Sequence, residues 1–276
     1  MVIPDEVADV ARKRRALQQQ FAAQAETTIV GAVGAAGPGA ARSPPESLWT
    51  LHLRLVAWRE LGQPVRVKPL IVSKLIDDAE LKAFQNGIRS QPIVAFRAKL
   101  VVDNPFGNAC AELLSLIPGH VDRELSDFLV EYAKPVRMVD PQFGTFELNK
   151  AIEWFEGKAT WCGVPVTLAI CPDNGKPDAA LLAAKQLWRD MTAWAQKITA
   201  YAVAELLDVK NDYWRGAREA ALSAEQFASA LRLELITVYA DGHFEFWFDD
   251  GNLFRGHAVT VSGSLDMGLT DANIAG

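Results

Sequence analysis

Cysteine, histidine and long apolar runs are all scarce in this sequence, and each scarcity excludes a class of protein. The three cysteines, Cys110, Cys162 and Cys171, are widely placed and match neither a CxxC pair nor a zinc spacing. Disulfide staples and structural zinc are therefore not expected, and the thiols read as reduced, which suits a cytoplasmic location. The four histidines are scattered, too few together for a transition-metal site. No stretch approaches the roughly 18 consecutive apolar residues of a membrane span. The N-terminus lacks a signal-peptide core, since Arg12-Lys13-Arg14-Arg15 follows an acidic opening and precedes glutamines. Gly31, Gly34, Gly37 and Gly39 have neither the GxGxxG spacing nor a following Gly-Lys-Ser/Thr, so no nucleotide loop and no cofactor are expected. A net charge of -6 and a pI near 5.3 disfavour nucleic acid and anionic membranes as partners.

What is present organises into an arm and two α+β domains. A chain of 276 residues holds one large domain or two ordinary ones. Residues of about 5 to 26 read as a helix with Val7, Val10, Leu17 and Phe21 on a thin apolar stripe, expected either to dock on its own domain or to meet a partner. Residues 29 to 45, rich in Gly, Ala and Pro, read as a flexible linker, giving an arm and linker over 1–45. Trp49, Leu51, Leu53 and Leu55 alternate with Thr50, His52, Arg54 and Val56, the period-2 pattern of a half-buried strand. Val65 to Ile71 is a second strand candidate, Asp77-Asp78 opens a short helix, and Ile93 to Val102 alternates again. Ala109 to Ile117 and Asp122 to Tyr132 read as helices stopped by Pro118-Gly119 and Pro135, completing a small α+β domain over 46–135.

The remaining residues, 136–276, are expected to form an α+β domain with an antiparallel sheet packed on a long Trp-rich helix. Gly144 to Leu148, Ile152 to Phe155 and Thr160 to Ile170 supply three strands with local, hence antiparallel, connections. Asp178 to about Val209 reads as one helix with Leu187, Met191, Trp194, Ile198 and Tyr201 on a stripe, ended by Lys210-Asn211-Asp212. Ser223 and Gln226 form a capping-box pattern that opens a short helix. Two-residue turns at Asp241-Gly242 and Asp250-Gly251 then join three closing strands into a six-stranded sheet. The first turn would set Tyr239 opposite Phe244 and Thr237 opposite Phe246, and would leave Ile236, Val238, His243, Glu245 and Trp247 on a mixed face.

Polar groups converge at one place, the loop bearing Asp249, Asp250, Asn252, Arg255 and His257. The segment lacks the calcium-loop pattern, and Ser262 lies in no GxSxG elbow, so neither a metal nor a serine hydrolase is indicated. Under two-residue turns Arg255 and His257 fall on the aromatic face and need partners, with Asp249 and Asp250 nearest in sequence. The loop is then either a hydrogen-bonded structural turn or a buried His-carboxylate pair at a ligand site.

A resemblance adds to this reading. Gly144-Thr145-Phe146-Glu147-Leu148, Trp154-Phe155-Glu156-Gly157, Trp161-Cys162-Gly163, the Trp-containing helix, the run Phe244 to His257 with its Asp-Asp-Gly…Gly-His segment, and the Thr270 to Gly276 ending resemble a bacterial family. It is the one designated domain of unknown function 2262, over about residues 140–276. The resemblance implies a bacterial cytosolic α+β domain; it implies no established reaction and no catalytic residues. Together these readings lead to the expectation of a non-catalytic protein-interaction factor, immunity-like or regulatory, with a protein partner. The alternative is a small-molecule-binding domain or hydrolase centred on Asp249 to His257.

Overall fold

Alternation of leucines along Trp49–Glu60 marks a strand with one face in a core, and in the computed structural model that core is the inside of a barrel. The described residues are 4–42, 47–88, 92–216 and 218–276, and the side chains of 4–7 and 85–87 are not among them. They form a mixed α+β protein with six helices and thirteen strands. The chain divides into two compact units, Met1–Lys134 and Pro135–Gly276.

In the first unit, helix α1 (Pro4–Ala23) leads into β1 (Glu26–Ala41), β2 (Trp49–Glu60), β3 (Leu70–Ile76), α2 (Asp78–Ile88), β4 (Ile93–Val101), β5 (Ala109–Ile117) and α3 (Arg123–Ala133). The strands close in the order β1-β2-β3-β5-β4, with β3 and β5 parallel and β4 returning to pair antiparallel with β1. A five-stranded barrel of this order, with a helix between its third and fourth strands, has the connectivity of the OB-fold. Leu51, Leu53, Leu55, Leu70, Val72 and Phe96 fill the interior, and Phe84 and Ile88 of α2 join the same core.

Two sequence expectations fail here. The stretch expected to be a flexible linker is largely β1, which pairs with β2 along its length and with β4 through its first half. Small residues are what the strand requires: a Cβ on Gly31 would lie 2.3 Å from Cδ1 of Leu55. Register breaks between Ala32 and Val33, and between Val33 and Pro38, bend the strand so that one element serves two neighbours. The stretch expected as the Ala109 helix is β5. Its Ala, Glu and Leu are good helix formers, but the gap between β3 and β4 can be closed only by a strand, and tertiary pairing overrides propensity.

The ends of the unit are tied down by side chains. Leu17 and Phe21 of α1 pack on Ile71, Val101 and Cys110, so the thin stripe docks on its own barrel, while Val10 stays 41% exposed. Asp122 caps α3 by accepting the Leu125 N–H at 3.1 Å, and its other oxygen accepts from Arg59 Nε at 3.0 Å. Burial alone would raise the Asp122 carboxyl, but the Leu125 N–H and the Arg59 guanidinium outweigh it and hold it below the usual carboxylate range.

The second unit is one open sheet of eight strands, ordered β13-β12-β11-β10-β9-β8-β7-β6, rather than the six expected. Strands β6 (Arg137–Asp140), β7 (Gly144–Asn149), β8 (Trp154–Trp161) and β9 (Val164–Cys171) form one meander. Helices α4 (Asp178–Arg189), α5 (Met191–Tyr213) and α6 (Ala224–Ala230) cross to a second meander, β10 (Arg232–Tyr239), β11 (His243–Asp249), β12 (Ala258–Ser264) and β13 (Gly268–Ala275). The two meanders join through β9 and β10, which run parallel, so the sheet is mixed and not purely antiparallel.

The single long helix expected from Asp178 is two helices, interrupted at Asp190 (φ -114, ψ 30). Aromatic rings link these helices to the sheet, Trp188 meeting Trp161 at 4.7 Å and Trp194 meeting Phe244 at 5.1 Å, and within the sheet Trp161 meets Phe246 at 5.1 Å, all edge-on. Such pairs add roughly 0.5–1.5 kcal/mol each beyond the area they bury.

The β10–β11 register differs from expectation by one residue. Val238, not Tyr239, stands opposite Phe244, and Ile236 opposite Phe246. The turn therefore spans Ala240-Asp241-Gly242, closed by the Gly242 N–H donating to the Tyr239 carbonyl at 3.1 Å, with Gly242 left-handed at φ 85. A three-residue loop ending in a left-handed glycine competes with the two-residue Asp-Gly turn. The consequence is large because a one-residue slip exchanges faces. Ile236 and Val238 lie in the core with the phenylalanines, and Thr237 and Glu245 pair on the opposite face.

Candidate functional site

Strand β11 ends at Asp249 and β12 begins at Ala258, directly opposite it, so Asp250 to His257 form a wide loop where a two-residue turn was expected. Asp250 organises this loop. It is 2% exposed, and its carboxylate accepts backbone N–H groups of Asn252 at 2.9 Å, Phe254 at 2.5 Å and Gly256 at 3.3 Å. Asn252 (φ 69) and Arg255 (φ 60) adopt left-handed backbone to bring those donors round. A carboxylate ringed by N–H groups is the inverse of an anion-binding nest: the loop carries its own anion. Asp249 Oδ1 accepts the Gly251 N–H at 3.0 Å, so this acid too serves the turn.

The two bases find an aromatic partner instead of the neighbouring carboxylates. The His257 ring lies edge-on to Trp214 at 5.4 Å, Arg255 places its guanidinium carbon 5.9 Å from the same indole, and Phe254 meets it at 5.6 Å. Thus the structure brings Arg255 and His257 together at Trp214, engages Asp249 and Asp250 in backbone bonds, and gives Asn252 a conformational role.

Trp214 was not identified with this site from the sequence. It lies just past α5, where Lys210 and Asn211 were expected to end the helix; the helix runs on to Tyr213. Those two residues hold the following loop. Lys210 Nζ donates to the Trp214 carbonyl at 3.2 Å and pairs with Glu219 at 2.9 Å, while Asn211 donates to the Leu222 carbonyl and accepts its N–H. No sequence signal pointed to Trp214: Lys210 is 3% exposed and so needs partners nearby, but that burial is visible only in the fold.

Elsewhere in this unit the sheet, α5 and the entry to β10 enclose a cleft of about 450 Å³. Trp161, Val164, Ile198, Leu233, Phe246 and Phe248 supply its apolar lining. Arg232, Thr199 and Cys162 supply its polar atoms, and Cys162 is an exposed free thiol on the β8–β9 turn. On the sheet face opposite the phenylalanines, burial pushes the Tyr239 phenol up to about 12, with the Glu245 carboxylate adding to the effect. A second depression of similar volume is lined by Arg137, Glu147, Glu156, Lys158 and Thr167. Its cations have local partners, Arg137 paired with Glu147 at 3.0 Å and Lys158 donating to the Thr167 hydroxyl at 3.0 Å. Among the described residues no group of three or more His, Cys, Asp or Glu could hold a metal ion.

In comparison with known proteins, two family models match separate segments of the chain. Residues 140–274 match DUF2262. That family is described as an uncharacterized protein conserved in bacteria, and its extent takes in the Asp250 loop, Trp214 and the cleft. Residues 13–132 match a domain of unknown function, DUF7021, which takes in the barrel. No curated protein matches the chain. Among the described residues no helix of either the DUF7021 or the DUF2262 segment is long and apolar enough to cross a membrane.

Proposed function

We propose that this protein is a non-catalytic interaction factor, immunity-like or regulatory, whose DUF2262 segment binds a cationic protein partner in the cytoplasm. The observation that carries the reading is the commitment of the Asp250 carboxylate to three backbone N–H groups. The group that most resembles a catalytic acid is spent on the fold, which favours recognition over chemistry. Charge distribution supplies the partner's character. Residues 1–134 carry sixteen Lys and Arg against fifteen Asp and Glu, whereas residues 135–276 carry twelve against nineteen. The acidic surplus of the whole chain thus resides in the second unit, and complementary charge favours encounter with a basic surface. Three free thiols are consistent with a reducing compartment.

The test is affinity capture of the full chain from its bacterial host at low and high ionic strength. A basic protein recovered at one-to-one stoichiometry, and released as salt screens the contact, is the expected result. Recovery of no stoichiometric partner, or of one indifferent to salt, overturns the reading.

A second reading, a small-molecule site or hydrolase at Asp249 to His257, draws on the placement of Arg255 and His257 against one indole. A ligand screen by thermal shift on the native chain and on His257→Ala separates the two. A stabilising ligand lost in the variant supports this site; identical behaviour of both proteins removes it.

A further inference from the structure

The geometry points to the cleft of the DUF2262 segment as a binding site for a small amphipathic carboxylate, its hydrocarbon body between α5 and the sheet and its head group on Arg232. Three observations converge. The volume, about 450 Å³, falls within the range of about 300–1,000 Å³ typical of small-molecule sites. The lining is apolar over most of its surface, with the largely buried rings of Trp161, Phe246 and Phe248 and the buried Ile198 at its base. The guanidinium of Arg232, the cation that lines it, has no ion pair or hydrogen bond among the described residues, although Asp249 stands opposite it in the β10–β11 ladder.

Arg137, Lys158, Lys185 and Lys210 have side-chain partners, whereas Arg189, Arg218 and Arg232 have none among the described residues, and of these three only Arg232 lines the cleft. A guanidinium beside an apolar wall presents a planar fork to a carboxylate, while the wall receives the attached chain. In the other depression Arg137 is paired with Glu147 and Lys158 donates to the Thr167 hydroxyl, and the lining is not apolar. This assignment does not depend on the protein-partner reading above.

Cys162 gives the test a local reporter, being the one exposed thiol of the three and part of the cleft wall. The full chain is titrated with decanoate below its micellar range, with decan-1-ol and decyltrimethylammonium as matched probes. Binding is read by calorimetry and by the rate of Cys162 alkylation, located by peptide mass spectrometry. One equivalent of decanoate is expected to bind and to slow Cys162 alkylation at least fivefold. Arg232→Gln, at an exposed position, is expected to weaken decanoate about tenfold and leave decanol unchanged. Filling the cleft with Ala195→Leu or, independently, Thr199→Leu is expected to abolish both. No protection of Cys162 in the native chain overturns the proposal. So does equal affinity for the acid, the alcohol and the ammonium, or unaltered decanoate binding in Arg232→Gln.

Discussion

The barrel of the first unit and the sheet of the second solve the same problem, burying one face of a set of strands, with different side chains. The barrel covers itself, so its interior is narrow and is filled mainly by aliphatic residues such as Leu51, Leu53, Leu55 and Val72. The open sheet needs helices to cover it, and a sheet and a helix layer stand about 10 Å apart. Long flat rings bridge that distance, which is why Phe143, Phe146, Phe244, Phe246 and Trp161 crowd the second core. The closed sheet also has every strand paired on both sides, whereas the open one leaves β6 and β13 as edges. Closure favours small, tightly registered residues; coverage favours large ones that tolerate repacking and can leave a cleft.

Denaturant unfolding of the full chain should resolve this difference into two transitions, and each of the following variants should move only one. The largest effect is expected from Phe246→Ala, where loss of a ring that touches Trp161 and Phe244 should cost the sheet unit about 3–5 kcal/mol. Next comes Asp250→Ala, which strips three N–H groups of their acceptor and should cost the same unit about 2–3 kcal/mol, with Asp250→Asn recovering part of it. A loss below about 0.5 kcal/mol would contradict the structural role of this carboxylate. In the barrel, Gly31→Ala should cost about 1–3 kcal/mol, because a closed ring of strands cannot shift to admit a methyl group against Leu55. If the sheet unit's transition moved as well, the two could not be treated separately.

The smallest effect concerns pH and sharpens the comparison by treating the units alike. Each contains a buried aspartate held below the usual carboxylate range despite burial, which opposes it. Arg59 and the Leu125 N–H act on Asp122, and Lys185 with the Gln142 and Phe143 N–H groups acts on Asp140. A depressed folded value means the stabilisation is complete above the unfolded value of about 3.9 and is lost as pH falls through the folded value. Unfolding midpoints measured from pH 5 down to pH 3 should therefore fall in both units. Asp122→Asn should flatten the decline in the barrel alone and Asp140→Asn in the sheet alone.

Patterns confined to one element were legible in the sequence. The alternation from Trp49 to Leu55 gave β2, and the Ser223 and Gln226 spacing gave a capping box in which both reciprocal bonds form, at 3.2 and 2.9 Å. What depended on distant residues was not. Residues 29–41 look like a linker until Leu55 and Phe96 are known to flank them, and Ala109 to Ile117 looks helical until a barrel needs its fifth strand. Asp241-Gly242 marks the turn in the sequence but not its length, which is one residue greater than a two-residue loop, enough to exchange the faces of β10 relative to β11. At the candidate loop the acids were visible, but their acceptor role needs the backbone of Asn252, Phe254 and Gly256. The indole that meets the bases arrives from Trp214, held by bonds of Lys210 and Asn211.

The parallel seam between β9 and β10 has a consequence for synthesis. Each meander can form from its own local connections, but the seam must await the intervening crossover, residues 172–231, since closing so long a loop is slow. A nascent chain that has emerged only as far as Cys171 therefore displays β9 as an open edge and Val166, Leu168 and Ile170 as an uncovered apolar face. An open edge beside an apolar face is an aggregation hazard, and Pro165, which removes one backbone donor from β9, stands where it blunts that hazard.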